Sequence, residues 1–292
     1  MAAASRVRTF ITLGLLPALS IYLLFVIVPI FWSAFYGFFD WKGIGAMKYI
    51  GFANYAEVVQ DPIFWRAFKN NLIIVAASIF GQVPIALVLA LVLWKSSFFH
   101  RFIRSAVFMP MVLASVVIGI IWGYIYNPQI GILNYILENV GLSSWIRDWL
   151  GDPKINMYSV SVPIIWANIG PYLILFIAAI QNISSEVEDA AKIDGAVGFR
   201  RLYLIVVPMI WNTIKVAIVL CISGSMKAFD LIYVMTGGGP AQATELLATY
   251  MYNNTFNIFR YGYGSAVSTM IMIISMILVA GSQLLMKRKG ND

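Results

Sequence analysis

KINMYSVSVPIIWANIGPYLILFIAAIQNISSE, Lys154 to Glu186, carries no charged side chain between its two ends. A bilayer's hydrocarbon is crossed by roughly 20 apolar residues in a helix, so this interval is long enough to span it. The same pattern recurs from Arg8 to Asp40, Lys69 to Lys95, Arg104 to Glu138 and Arg260 to Lys287, each gap enclosing at least 25 uncharged, mostly apolar residues. A further apolar stretch, from about Val206 to Met235, is interrupted by Lys215, Lys227 and Asp230. Composition agrees: 61% of the 292 residues are hydrophobic and 11% charged, against roughly 45–50% and about 25% in soluble domains. Those figures exclude an ordinary soluble globule and a disordered chain. One cysteine, Cys221, and one histidine, His100, exclude an internal disulfide and a multi-histidine metal site.

Six transmembrane helices in an all-α integral membrane fold are therefore expected. The first apolar run is longer than a signal-peptide h-region and is expected to be retained. With the N-terminus inside, eleven Lys and Arg fall on the inner face and seven on the outer. Basic residues concentrate on the cytoplasmic side of membrane proteins, so both termini are expected to be cytoplasmic, and the +7 charge reflects topology and not nucleic acid. The expected organisation is a cytoplasmic N-terminus at 1–9, a transmembrane domain at 10–286 containing a cytoplasmic loop at 182–207, and a cytoplasmic C-terminus at 287–292. Pro17, Pro29, Pro84, Pro110, Pro163, Pro171 and Pro208 lie in or beside spans, where they free backbone groups that neighbours must satisfy. Gly119 and Gly123 form a GxxxG that permits close helix contact.

The loop between spans four and five reads as a short capped helix. Ser185 and Glu188 have capping-box spacing, acids fill the first turn, and Gly195 can close the C-terminus in a left-handed conformation. About ten residues are too few for a helix stable by itself in water, so it must lean on something. Ala190 and Ala191 offer a face of little bulk to another protein's groove. A well-capped inner connection accounts for the same residues.

Asp189-Ala190-Ala191, then Asp194-Gly195-Ala196, then Pro208 resembles the "EAA" loop of ATP-binding-cassette importer permeases. Two departures are visible: Asp189 replaces the usual leading Glu, with Glu188 beside it, and Ile183-Ser184 stands where Ile-Pro is usual. Further stretches are similar to the first permease subunit of the maltose, lactose and glycerol-phosphate branch. They are Gly51 to Tyr55, Asp61 to Trp65, Asn70-Asn71, Phe102 to Pro110, Asn127-Pro128 and Gly131 to Asn134. Phe229 to Pro240, ending in a GGGP placed between the fifth and sixth spans, and Gly262 to Ala266 complete the likeness.

The resemblance implies one half of a permease heterodimer in a prokaryotic plasma membrane, six helices being the complete unit. It implies a coupling helix, with Glu188, Asp189, Ala190, Ala191, Asp194 and Gly195, docking into an ATPase subunit. The implied partners are a second permease subunit, two ATP-binding-cassette ATPase subunits, an extracytoplasmic solute-binding protein, a carbohydrate and membrane lipid, with no nucleic acid. No cofactor is expected in this chain: it has no G-x-x-x-x-G-K-[ST] phosphate loop, so ATP and Mg would be bound by the partner ATPases and the chain is not itself an enzyme.

For the solute, a sugar needs hydroxyl-directed polar groups and aromatic faces in a mostly apolar concavity. Spans two to five offer Gln82, Trp122, Tyr124, Tyr126, Trp166, Asn168, Tyr172, Ser223, Ser225 and Tyr233. Aromatics near span ends more often form interfacial belts, which discounts Tyr124, Tyr126 and Tyr233. Asn168, Tyr172, Ser225 and Lys227 are the candidate substrate-path residues, matching regions that line the sugar site in the maltose-type family. Lys215 can snorkel to the interface. Lys227 and Asp230, three apart, would share a helical face, either as a structural ion pair or as a solute contact, and Lys227 could meet a phosphate. An ion-coupled secondary transporter is the alternative, but Asp230 is the only acid near a span interior. A membrane enzyme would need clustered acids or histidines at one interface, and the only acid cluster lies on the capped loop.

Overall fold

A computed structural model describes residues 14–95, 97–196 and 198–288, with backbone alone at Glu188, Lys192, Phe199 and Arg288. The expected N-terminal segment 1–9 and residues 289–292 lie outside it. Four helices are long and apolar enough to cross a membrane: α1 (Gly14–Tyr36), α3 (Pro62–Leu93), α7 (Asn156–Gln181) and α13 (Tyr261–Arg288). Between them lie α2 (Ala53–Gln60), α4 (Phe98–Val112), α5 (Ser115–Ile125), α6 (Ile132–Asn139), α8 (Ser185–Ile193), α9 (Leu202–Met209), α10 (Trp211–Met226), α11 (Asp230–Met235) and α12 (Leu247–Tyr252). The pairs α4/α5 and α9/α10 are each apolar enough for a span but bend by 99° and 71°.

Those bends fall in the expected third and fifth spans, and local backbone accounts for them. After Pro110, Leu113 (φ −73°, ψ 143°) and Ala114 (φ −60°, ψ 136°) are extended, which ends α4 and redirects the chain into α5. Ile210 leaves helical geometry two residues after Pro208, and the fifth stretch breaks again after Met226. A widened turn precedes three of the prolines. Pro29, Pro84 and Pro208 each follow a five-residue π-helical turn, at Leu23–Ile27, Ser78–Gln82 and Leu202–Val206. A proline ring collides with the carbonyl four residues earlier, and widening the preceding turn makes room for it.

The chain divides into two compact units, one of residues up to Asp61 with Met251–Ile273, the other of Pro62–Tyr250 with residues from Ile274 on. In the first, strands β1 (Phe39–Asp40) and β2 (Lys48–Tyr49) pair antiparallel, Phe39 opposite Tyr49. Asn54 donates its amide to the carbonyls of Gly37 (3.0 Å) and Phe39 (2.9 Å), pinning α2 under the hairpin. Arg260 forks onto Glu57 at 2.8 and 2.7 Å, and the Gly262 amide reaches the Trp41 carbonyl at 3.1 Å. A Cβ at Gly262 would collide with the Phe39 carbonyl, so the segments around Asn54 and Gly262 are held in contact by glycine.

In the second unit, Ala86, Ala90 and Leu93 of α3, Leu173, Phe176 and Ile180 of α7, and Val206, Ile214 and Ala217 of α9 and α10 form one core. Gly170 lets α7 approach the Phe108 backbone, with a Cβ there falling 2.8 Å from Phe108 Cα. Gly119 abuts Val234 of α11, but Gly123 faces open space, so only one glycine of the GxxxG serves packing among the described residues.

The GGGP segment is bound to the start of α3. Asn70 Nδ2 donates to the carbonyls of Ala243 (3.0 Å) and Glu245 (2.9 Å), and Arg66 to that of Ala241 (3.2 Å). Thr244 closes the loop from within, donating to the Gly239 carbonyl at 2.8 Å. Asn71, fully buried, donates to the Ser225 carbonyl at 2.9 Å and accepts from the Leu247 amide at 2.8 Å. Replacing Asn71 by alanine strands both groups away from water, at a cost of about 1–3 kcal/mol. Thermal unfolding of the purified N71A protein should show a clearly lowered midpoint, whereas alanine at exposed Asn257 should leave it in place.

Candidate functional site

A cavity of about 230 Å³ opens where the fifth apolar stretch breaks. Its walls come from α3 (Ser78, Gln82), α7 (Asn168, Tyr172), α10 (Cys221, Ser225) and the broken segment with the start of α11 (Lys227, Phe229, Asp230). The four substrate-path candidates thus line one cavity, at different depths. Ser225 is buried on the floor, while Asn168 and Lys227 are exposed at the opening.

Polar groups on the floor form a chain across three helices. The Tyr172 side chain stands beside Cys221, and the Cys221 thiol donates to Gln82 Oε1 at 3.6 Å. Gln82 Nε2 donates to Ser78 Oγ and to the Ile164 carbonyl, both at 3.3 Å, and Ser225 Oγ donates to Ser78 Oγ at 3.1 Å. Ser78 and Gln82 are the first and last residues of the π turn before Pro84, so the widened turn brings both side chains to the cavity. Asn168 spends its amide on the Ile164 carbonyl one turn back (2.8 Å), and its Oδ1 has no partner among the described residues.

Lys227 and Asp230 do not share a helical face. α10 ends at Met226, Phe229 is non-helical (φ −142°, ψ −66°), and α11 starts at Asp230. Among the described residues no salt bridge joins Lys227 or Asp230 to anything. Each ion sits at a helix end whose dipole favours it, the cation after the C-terminus of α10 and the anion in the first turn of α11.

Other sugar-type candidates lie elsewhere. Trp122 and Trp166 meet edge to face at 5.9 Å outside the cavity lining, and Tyr126 donates to the Ser159 carbonyl at 3.1 Å from a buried position. Tyr233 stacks on Phe229 at 5.0 Å. Ser78 is the residue that sequence reasoning missed; its only signal was spacing, four residues before Gln82 on the same helix.

The second candidate region is the loop at 182–207. Helix α8 begins at Ser185, within one residue of the predicted cap, and ends as expected at Gly195 (φ +66°). The Ala196 amide returns to the Ala191 carbonyl at 2.8 Å, the six-to-one closure of a Schellman motif. Glu186, Asp189, Ala190, Ile193 and Asp194 are exposed, Ile193 at 86%. Ala191 is not: it is 3% exposed and packs into this chain, so the low-bulk outward face is Ala190 alone. The side chain of Glu188 lies outside the described residues. Trp94, at the end of α3, ties the loop's flanks to the bundle: Gln181 donates to its carbonyl at 3.1 Å and Arg201 lies over its ring at 5.2 Å. Arg104 covers the same helix end, donating to the carbonyls of Leu93 and Lys95.

Residues 82–289 match the family described as "Binding-protein-dependent transport system inner membrane component". The chain belongs to that family. The permease is 38% identical over 269 residues to "Probable ABC transporter permease protein YurN" of Bacillus subtilis, covering 91% of this chain and 92% of that one. It is 30% identical over 277 residues to "Diacetylchitobiose uptake system permease protein NgcF" of Streptomyces coelicolor, covering 90% and 78%. Its fold superposes on a chain from the crystal structure of a bacterial alginate ABC transporter in complex with an alginate pentasaccharide-bound periplasmic protein. The TM-score there is 0.84 at 22% identity, over 100% of this chain and 98% of that one. The permease is accordingly a helical inner-membrane transport component and not an enzyme, ATP hydrolysis being the work of separate ATPase subunits.

Cys221 is the single thiol, 2% exposed, and Tyr172 stands against it. Tyr172→Ala should open it to the cavity, raising maleimide labelling of the folded permease well above the wild-type level. Unchanged labelling would contradict this placement of Tyr172.

Proposed function

We propose that the permease forms half of the translocation path of an ATP-driven, binding-protein-dependent importer of a sugar or oligosaccharide, spanning the membrane six times with both termini cytoplasmic. The observation that carries this reading is the cavity at the broken helix. It combines hydroxyl, amide and aromatic groups with apolar walls, the mixture a polyol requires. A discontinuous helix at a solute site suits transport, since its free ends supply polar groups at a depth where an intact helix has none. The names of the diacetylchitobiose and alginate systems support a saccharide as solute.

In this reading a second permease subunit supplies the other half of the path, and a solute-binding protein delivers the cargo from outside. Two ATPase subunits bind ATP and Mg, and their closure is received by α8. The exposed Glu186, Asp189, Ala190, Ile193, Asp194 and Gly195 form the docking surface, Ile193 filling an apolar pocket of the ATPase and the acids setting register at its rim. Glu188 is proposed with them on its position in the helix. In the cavity, Asn168 Oδ1 accepts from a sugar hydroxyl, Tyr172 offers a ring face, Ser225 limits depth and Lys227 donates to hydroxyl, carboxylate or phosphate oxygens.

Uptake by cells and substrate-stimulated ATPase activity of the purified importer test both parts. Alanine at Asn168, Tyr172 or Lys227 should raise the half-maximal solute concentration by about three- to tenfold each, the worth of one ligand hydrogen bond. Uptake with all four candidate residues replaced and no change in either activity would overturn the site, and loss of uptake on collapsing the proton gradient at constant ATP would overturn the energy source. Separately, Ile193→Glu should abolish solute-stimulated ATP hydrolysis while leaving solute binding by the external protein intact.

A further inference from the structure

A second cleft, of about 270 Å³, lies between α10 and the end of α13 and shares no lining residue with the first cavity. From α10 it takes Lys215, Val216, Val219 and Leu220, and from α13 Gln283, Met286 and Lys287. Both sets follow helical spacing, so each is one continuous stripe. On the six-span topology proposed above, on which this inference rests, α10 leads away from the side of the loop at 182–207 and α13 leads back to it, so the two helices run in opposite directions. Both lysines therefore stand at the same end of the cleft, and Leu220 lies about 7.5 Å deeper than Lys215 at 1.5 Å per residue.

The cleft is thus graded by depth, with two cations at its rim, and Val219, Leu220 and, about 6 Å below Lys287, the Gln283 side chain inside. No acidic residue lines it, and among the described residues neither lysine has a salt-bridge partner. Val216 and Leu220 remain 51% and 50% exposed. A partner helix seated here would have to bring an acid to two like charges, whereas a phospholipid carries both the anion and the chain. A zwitterionic headgroup would bring its own cation toward the lysines.

We propose that this cleft binds an anionic phospholipid of the inner leaflet, its phosphate held by Lys215 and Lys287 and one acyl chain laid along Val219 and Leu220. Basic pockets between helices on the cytoplasmic side are suited to such headgroups. Lys215 follows the 71° bend at Ile210 by five residues, so the lipid bears on the arm beyond that bend.

Native mass spectrometry of the full-length permease, purified with its co-purifying subunits, provides the test, using added dioleoyl phosphatidylglycerol or dioleoyl phosphatidylcholine. The wild type should retain phosphatidylglycerol in preference to phosphatidylcholine. The double variant K215Q/K287Q should lose that retained lipid, K215R/K287R should keep it, and L220W, which fills the apolar end with both charges intact, should lose it. The variant K95Q/R101Q removes two basic residues elsewhere and should retain the lipid as the wild type does. Unchanged retention in K215Q/K287Q, equal retention of phosphatidylcholine by the wild type, or equal loss in K95Q/R101Q would overturn the proposal. So would a carboxyl-to-lysine cross-link from Lys215 or Lys287 to another polypeptide, which would assign the cleft to protein.

Discussion

Every break in a membrane helix leaves backbone groups that no water is present to satisfy, and an unbonded one costs several kcal/mol in hydrocarbon. In this permease the debt falls on Asn71. One amide side chain holds the Ser225 carbonyl at the end of α10 and the Leu247 amide at the start of α12, so it joins the break over the cavity to the return of the GGGP loop. Asn70 and Arg104 perform the same service at the loop and at the end of α3. A chain with only 11% charged residues places its amides and guanidinium groups where helices stop. That placement is what lets an apolar bundle contain irregular backbone.

The prolines show the same economy in another form. The turn before Pro84 widens and the helix continues, so α3 runs its length unbroken. Widening also rotates side chains relative to a regular helix, and Ser78 and Gln82, at its two edges, are the ones that reach the cavity. The core around Ala86, Ala90, Leu173 and Phe176 is unaffected, because the π turn ends at Gln82 and regular geometry resumes at Val83.

Charge-free intervals predicted α1, α3, α7 and α13 because length and hydropathy are additive properties of a segment, readable without knowing its neighbours. The bends in α4/α5 and α9/α10 were not readable in this way. Pro163 and Pro171 lie inside the continuous helix α7, whereas Pro110 and Pro208 precede bends, so a proline in the sequence does not by itself mark a break. Lys227 and Asp230 marked an unusual place correctly, but three-residue spacing was read as one helical face when it was a break. Ser78 carried only the weak signal of its spacing from Gln82, since serine in an apolar span commonly bonds its own backbone. Ala191 turned inward for a reason local sequence does not hold: whether a short capped helix shows one alanine or two depends on how it rests on the bundle.

The break also explains how two ions persist beside a solute cavity without neutralising each other. In a continuous helix Lys227 and Asp230 would be neighbours, and an ion pair would consume the hydrogen-bonding capacity of both. Ending α10 at Met226 and starting α11 at Asp230 gives each charge a helix terminus of opposite sign instead, worth about 0.3–1 kcal/mol apiece. That stabilisation is weaker than a desolvated ion pair, but it leaves the side chains uncommitted. A path that must bind a hydrated polar solute and then release it needs groups of this kind, held in place by backbone and not by each other.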